Sequence, residues 1–171
     1  RQGARVAWLS CDESDSEPAR LLQYLCAAIE AVAPAFSCTS AGLVPGDVNW
    51  PVEALIDAFV ADLKRLDGDL YLMLDDFHRI RHPALGHGVR YLLKSLPDNV
   101  RLIVSTRYKP RFISAEQDAK SWAFWLLAED LRLSREETAA YFLQIKKIEL
   151  SSAELDLLQA RTEGWITALH L

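Results

Sequence analysis

The 171-residue sequence has no long apolar segment and no excess of positive charge. No apolar run approaches the roughly 20 residues that a membrane-spanning helix requires, so the sequence predicts no membrane association. Lysine and arginine together number 19 against 24 aspartate and glutamate residues, which gives a net charge of −5. A nucleic-acid-binding surface is usually basic, and this balance therefore argues against direct DNA binding by these residues.

The sequence also has few cysteines and lacks the spacing patterns of common metal and nucleophile sites. The sequence has three cysteines, Cys11, Cys26 and Cys38. Their number is odd and their spacing shows no paired metal motif, so we expect reduced, mostly buried thiols in a cytoplasmic protein. His78 and His82 lie close together, but no Cys or Glu completes a zinc pattern. No Gly-x-Ser-x-Gly elbow occurs, and no lysine follows a glycine-rich turn of the kind that holds phosphates.

What the sequence does contain is a continuous apolar run, Leu70–Leu74, that ends in Asp75 and Asp76. Such a run is typical of a strand buried on both faces of a parallel α/β sheet. Ligands of these sheets bind just beyond the carboxyl ends of the strands, where the two carboxylates lie. One carboxylate there can hold a hydrated magnesium ion, and a second can orient or deprotonate a water that attacks a phosphate. The alternative is an ordinary Asp-rich turn, because Asp side chains cap the local backbone.

The apolar patterns around this run predict alternating strands and helices. Strands are predicted at residues 5–10, 70–74, 100–105 and Trp122–Leu127, and helices at about residues 18–33, 51–66 and 83–95. This order implies right-handed crossovers and a parallel sheet. Capping boxes at Ser134–Glu137, which opens a helix through Ile145, and at Ser151–Glu154 predict a small helical subdomain. We therefore predict an α/β core over residues 1–127 and a helical subdomain over residues 128–171.

Four stretches, in their order and spacing, point to a known family. They are Val6–Glu13 with Pro18–Arg20, Leu72–His78, Ile103–Arg107 and Thr162–Ile166. Together they resemble, over nearly the full chain, the nucleotide-binding region of the MalT-like, LuxR-type transcriptional regulators, which are STAND-class P-loop ATPases. The resemblance implies a P-loop NTPase-like parallel sheet flanked by helices. That sheet would be truncated, because the Walker A loop Gly-x-x-x-x-Gly-Lys-Ser/Thr is absent from the 171 residues.

In this family the Walker A loop lies upstream of the first strand and a DNA-binding helix-turn-helix lies far downstream. The sequence itself enters a strand almost at once and stops within an apolar helical pattern, so we expect a fragment of a longer protein. Loss of the strand that leads into the Walker A loop would expose an edge of the sheet. We therefore expect four strands or fewer, with a rearranged last strand or an intermolecular contact at that edge.

The resemblance implies roles for residues at two strand ends. Asp75 would correspond to the Walker B acid that holds magnesium, and Asp76 to the adjacent acid that positions the attacking water. Arg107 would correspond to the sensor arginine that contacts the γ-phosphate, for which a guanidinium fork is suited. Thr106, beside it, is assigned to the nucleotide site on the same basis.

The resemblance also places Gly164 and Trp165 at the break in the helical subdomain that lies near the adenine. In many relatives of the wider class a proline follows this glycine at short spacing, and here it does not. Plainer alternatives stand beside these assignments: Trp165 as a core anchor, Arg107 as a solvated strand-end residue, Thr106 as a loop cap and His78 as a structural turn residue.

Two functional hypotheses follow. In the first, the segment is the ATP-binding ATPase switch of a MalT-like transcription activator, with ATP and Mg²⁺ as cofactors. ATP would favour a self-associating active state and hydrolysis would reset it, while the occurrence of hydrolysis stays open. An inducer and DNA would bind through other parts of a longer cytoplasmic protein. In the second, the segment is a non-catalytic α/β protein-interaction module of a signalling regulator.

Overall fold

The structure, a computed structural model, describes residues 4–43, 51–108 and 124–170. The chain divides into two compact units, Arg1–Ala119 and Lys120–Leu171. The division into functional domains after residue 127 stays a prediction.

The first unit is built on a parallel sheet of three strands in the described residues. The strands are β1 (Arg5–Ser10), β2 (Leu70–Asp75) and β3 (Val100–Val104). β2 lies in the centre, and its register places Leu72 beside Ala7 on one side and Leu102 on the other. The predicted α/β fold with a parallel sheet is therefore confirmed.

Three helices pack on one face of this sheet. They are α1 (Pro18–Val32), α2 (Val52–Leu63) and α3 (Pro83–Ser95). Proline opens α1 and α3, where its missing N–H costs no helical hydrogen bond. The apolar sides of the helices share one buried core with the inward residues of the strands, which include Ala7, Leu70, Leu72, Leu74 and Val100. Right-handed crossovers between successive parallel strands place all three helices on the same side.

The opposite face of the sheet is only partly covered. Along β2, every second side chain is buried and those between are half-buried. On the flanking strands, Val6 is 48% exposed, Trp8 57% and Ile103 44%. The prediction that β2 is buried on both faces is therefore wrong. An unbroken apolar run does not reveal that the helices of the first unit all pack on one side.

The predicted last strand at Trp122–Leu127 is wrong for its described part, residues 124–127, which are irregular. Residues 122–123 lie outside the described residues. The amide of Leu127 donates to the carboxylate of Asp130 at 2.8 Å, and a 3-10 turn follows at Glu129–Leu131. Residue type favoured a strand here, but a strand needs a partner for its backbone hydrogen bonds, and a local sequence pattern does not supply one.

The second unit is helical. Its helices are α4 (Arg135–Tyr141), which continues as a π-helical turn over Phe142–Lys146, then α5 (Ser152–Thr162) and α6 (Ile166–His170). Both predicted capping boxes are confirmed. In each, the serine side chain accepts from the amide three residues on, and the glutamate there accepts from the serine amide. These bonds satisfy donors that a helix start otherwise leaves unpaired.

Cys26 of α1 and Cys38 of the loop that follows are joined by a disulfide, with their Cα atoms 5.6 Å apart. Cys11 is a free, buried thiol. The expectation of three reduced thiols is therefore wrong for two of them, because the spacing in sequence does not show that the loop folds back onto its helix. Among the described residues, none of the helices combines the length and hydropathy that a membrane span requires.

Candidate functional site

The carboxyl edge of the sheet brings three loops together. Backbone hydrogen bonds continue past the strand ends: Cys11 N donates to Asp75 O at 2.8 Å, and Ser105 N to Leu74 O at 2.9 Å. Phe77 N in turn donates to Ser105 O at 3.0 Å. The segments after β1, β2 and β3 are thereby held side by side. This is the edge at which parallel α/β sheets bind ligands.

Asp75 is tied to the neighbouring loop through one carboxylate oxygen. Its Oδ1 accepts a short hydrogen bond from the hydroxyl of Ser105 and a second one from the amide of Asp76 at 3.1 Å. The same Ser105 hydroxyl oxygen also accepts from the Asp76 amide at 2.9 Å. Both hydrogen bonds to the Asp75 carboxylate end on Oδ1. Among the described residues no hydrogen bond to Oδ2 is seen, so this oxygen can bind a further ligand. Asp75 has the same parity along β2 as Tyr71 and Met73, so it belongs to the less covered face of the sheet.

Asp76 has a left-handed backbone conformation, with φ 54° and ψ 34°. A residue with a Cβ adopts this region at a cost, although Asp tolerates it better than most. The conformation turns the chain sharply at the end of β2 and leaves the Asp76 side chain 50% exposed at the edge of the sheet. The carboxylate is therefore presented to a ligand rather than packed into the core.

His78 lies close to Asp76, with 3.8 Å between its Nδ1 and the Asp76 Oδ1. Its Nδ1 is buried and makes no hydrogen bond with the described residues. The ring of Tyr108 lies edge-on to the imidazole, with ring centroids 6.4 Å apart. The histidine is thus packed beneath the edge of the sheet and directed toward the exposed carboxylate.

The other predicted residues of this edge lie just after β3. The hydroxyl of Thr106 donates to the carbonyl oxygen of Tyr108 at 3.0 Å, which is the loop-capping role given above as the plainer alternative. Arg107 is exposed. The structure therefore brings Asp75, Asp76, Thr106 and Arg107 to one edge of the sheet, while their assigned roles in nucleotide binding and hydrolysis stay predictions.

The turn after β1 adds negative charge to the same edge. Asp12 and Asp15 form a capping box around a 3-10 turn, with Asp12 N donating to an Asp15 carboxylate oxygen at 2.8 Å. Burial, and after it the carboxylates of Asp15, Asp75, Asp76 and Asp12 in decreasing order, together raise the pKa of the Cys11 thiol to about 12. Four carboxylates thus act on one buried atom, and such a field favours a bound cation.

Sequence reasoning missed the part played by Ser105 and by the acidic turn. Ser105 directly follows β3, and Asp12 lies two residues beyond the end of β1. Because parallel strands end at the same edge, polar residues just after each strand could have been grouped with the Asp75 pair from the sequence alone.

Gly164 and Trp165 lie in the second unit, between α5 and α6. Gly164 has φ +77°, and a Cβ there would stand 2.3 Å from the carbonyl oxygen of Leu133. Leu133 N also donates to Gly164 O at 2.8 Å. Trp165 is 37% exposed, and the Arg132 guanidinium carbon lies 5.7 Å from its ring centroid. Close backbone packing thus explains the glycine, and the adenine contact of this break stays a prediction.

The donor chemistry of the sheet edge fits magnesium. The described residues contain no group of three or more His, Cys, Asp or Glu side chains arranged to hold a metal. Protein-bound magnesium commonly keeps several waters and takes only one or two carboxylates together with substrate phosphates. The carboxylates of Asp75 and Asp76 are such ligands, and Asp75 has an oxygen to offer.

Curated relatives match almost the whole chain. It is 30% identical over 166 residues to the HTH-type transcriptional regulator MalT of Yersinia enterocolitica, a match that covers 97% of this chain and 18% of that protein. MalT proteins of Yersinia pestis and Yersinia pseudotuberculosis are 29% identical over 168 residues, covering 98% of this chain and 19% of theirs. The chain thus spans about a fifth of the length of these relatives. No family model matches it.

Proposed function

Because the chain is homologous, over nearly its whole length, to a segment of the MalT transcriptional regulators, we propose that it is the ATP-binding switch segment of a longer regulator of this kind. The observation that carries the proposal is the Asp75–Asp76 pair, which ends the central strand at the edge where Arg107 also emerges. That edge is where a parallel α/β sheet binds its ligand.

Each residue of the edge has a task in this proposal. Asp75 holds the magnesium ion of Mg-ATP through the carboxylate that Ser105 orients. A magnesium ion held there would supply positive charge to neutralise the phosphates. Asp76, held out at the edge by its left-handed backbone, orients the attacking water. The guanidinium of Arg107 binds the γ-phosphate by paired hydrogen bonds, for which its planar fork is suited.

A switch of this kind works only if ATP binds two conformations with different affinity. In the proposal the contacts of Arg107 depend on the γ-phosphate, so ATP favours a self-associating state and hydrolysis ends it. The longer protein binds DNA through a helix-turn-helix and an inducer through a further domain, and it works in the cytoplasm. The relatives' description as HTH-type transcriptional regulators supports this assignment.

The decisive experiment compares two substitutions in the longer protein. Asp76→Ala should lower phosphate release at least 100-fold, as loss of a general base does, while Mg-ATP binding is retained. Asp69→Ala is the matched control, because Asp69 is an exposed acid just before the other end of β2. It should leave turnover unchanged. Unchanged turnover in Asp76→Ala would remove the catalytic part of the proposal.

The 171-residue segment by itself should bind Mg-ATP poorly. Its sequence contains no glycine-rich loop followed by lysine, and that loop supplies the amides and the cation that hold the phosphates. Calorimetric titration of the segment with Mg-ATP checks this expectation. Tight binding would show that the phosphates are held by other means than the proposal supposes.

The open face of the sheet favours a second candidate, a non-catalytic interaction module. Val6, Trp8 and Ile103 together present an exposed apolar surface there, and such surfaces serve as protein contacts. The same Asp76→Ala experiment separates the two candidates, because a module that does not hydrolyse ATP has no turnover to lose.

A further inference from the structure

Two cysteines of the first unit are placed for reversible chemistry away from the sheet edge. Cys26 lies on α1 and is 2% exposed, whereas Cys38, in the loop after the helix, is half-buried. Their Cα atoms are 5.6 Å apart, within the usual range for a disulfide, and the structure joins the two sulfurs.

The loop that carries Cys38 is also held in place without the sulfur bond. The buried carboxylate of Asp62 accepts hydrogen bonds from the Thr39 hydroxyl at 2.6 Å and from the Ser40 amide at 2.8 Å. Burial alone would raise the pKa of Asp62, but these bonds and that from Arg65 outweigh it and lower the pKa. The carboxylate therefore stays charged and anchors the turn, so the two cysteines remain neighbours whether or not they are bonded.

Ser40 provides a partner for the thiols when the bond is open. Its hydroxyl oxygen lies 3.2 Å from the Cys38 sulfur and 3.8 Å from the Cys26 sulfur. A buried polar group without a partner is costly, so a hydroxyl within reach of both sulfurs stabilises the dithiol form as well. Both redox states of the pair are thus accommodated by the same packing.

We propose that Cys26 and Cys38 form a reversible thiol–disulfide pair that exchanges with low-molecular-weight disulfides and thiols of the glutathione class. The reversibility rests on the proposed function, since a transcriptional regulator works where thiol pools keep most cysteines reduced. Disulfides in such a compartment are usually transient or redox-sensing rather than permanent.

Oxidation and reduction of the pair each take two thiol–disulfide exchange steps. In oxidation, the more exposed Cys38 thiolate attacks a glutathione disulfide, forms a mixed disulfide and releases one glutathione thiolate. The Cys26 thiolate then attacks the Cys38 sulfur, closes the internal disulfide and releases the second glutathione, so one external disulfide is reduced for each internal one formed. Reduction runs the same steps in reverse, with the external thiolate attacking at Cys38.

Closing the disulfide ties the loop after α1 to the helix. It should slow the local opening of this loop as well as raise the stability of the whole fold. The Cys38 amide is held only by the exposed carboxylate of Glu30, at 3.1 Å, among the described residues. The Ser40 amide donates to buried Asp62, and we expect this bond to persist after reduction because it does not involve the sulfurs. Reduction should therefore speed hydrogen exchange at the Cys38 amide tenfold or more and change that of Ser40 far less.

The test counts thiols in the full 171-residue chain after equilibration with glutathione disulfide or with dithiothreitol. With the chain unfolded in denaturant for alkylation, because Cys11 and Cys26 are buried, we expect one alkylated cysteine, Cys11, after oxidation and three after reduction, with a Cys26–Cys38 peptide found in the oxidised digest. The oxidised form should also melt roughly 5 °C or more above the reduced form, because the bond restricts the unfolded chain. Three free thiols after oxidation, or glutathione retained on Cys38, would overturn the proposal.

Two variants complete the test. Cys38→Ser should melt at the same temperature under both conditions, whereas Cys11→Ser should keep the difference between them. A bond that dithiothreitol cannot open in the folded protein would refute reversibility. None of these readouts involves ATP, so failure of the redox pair and failure of the proposed function are seen in separate measurements.

Discussion

The turn after β2 and the turn after α5 both contain a residue with a side chain at positive φ, but for different reasons. In the second turn, Glu163, with φ 50°, ends α5 and donates its amide to Gln159 O at 2.9 Å, as a left-handed helix C-cap does. The next residue, Gly164, is required by its contact with Leu133. Helix termination and packing therefore account for the whole turn.

The turn after β2 has no such explanation. Asp76 follows a strand rather than a helix, its carboxylate is half exposed, and a buried nitrogen of His78 lies 3.8 Å away without a hydrogen bond to the described residues. Backbone strain that packing does not require is more often found at functional sites. The comparison thus favours a chemical role for Asp76 and a structural one for Gly164.

The largest expected effect comes from Gly164→Ala. A methyl group 2.3 Å from the Leu133 carbonyl oxygen, at φ +77°, must displace backbone, and we expect a loss of about 3–5 kcal/mol in the free energy of unfolding of the second unit. Urea denaturation followed by far-UV circular dichroism measures it. Gly42→Ala is the control, since a Cβ there meets nothing within 4 Å. Equal effects of the two substitutions would contradict the packing explanation.

The stability of the first unit should depend on pH through the Cys11 thiol. The pKa of Cys11 is raised from an ordinary value of 9.0 to about 12, so the folded state holds a proton that the unfolded state releases. The thiol's contribution to stability is complete below pH 9 and is lost as the pH rises toward 12, with a slope of at most about 1.4 kcal/mol per pH unit. Denaturation of the wild type and of Cys11→Ala between pH 8 and pH 11 should show this slope in their difference. Parallel pH profiles would contradict it.

Ser105→Ala tests the link between the loops of the sheet edge. The Ser105 hydroxyl donates to Asp75 and accepts from the Asp76 amide, so its removal should lower the free energy of unfolding by about 1–2 kcal/mol. Ser95→Ala, at the end of α3, is the control, because the structure describes no hydrogen bond from that side chain. Thermal or urea denaturation of both variants measures the difference in stability. If Ser105→Ala leaves the free energy of unfolding unchanged, Asp75 is not oriented through this hydroxyl.

The smallest effect is expected at the rim of the same edge. Arg81 and Glu13 form an ion pair at 2.5 Å, but both side chains are largely exposed. Solvent screening limits such pairs, and Arg81→Ala should cost less than about 1 kcal/mol. A double-mutant cycle with Glu13→Ala isolates the pair. A coupling energy well above that value would mean that the rim is more rigid than its exposure indicates.

The order of elements and the parallel sheet could be predicted because apolar periodicity, capping boxes and opening prolines are local signals. β1 and α3 have the predicted bounds, and the two capping boxes form as expected. The predicted last strand was wrong in its described part, residues 124–127, because strand formation depends on a neighbouring strand that can be distant in sequence. The Asp75–Asp76 pair was found from the sequence, whereas its partner Ser105 lies 29–30 residues away along the chain and is joined to it only by β-strand pairing.

The sequence by itself determined the α/β class, the central strand and the carboxylates at its end, since these depend on residue types within a few turns or one strand. Tertiary structure decided which face of the sheet the helices cover, that Cys38 returns to Cys26, and that Gly164 must lack a side chain. Those features depend on contacts between residues distant in the chain, and such contacts form only when the whole core packs.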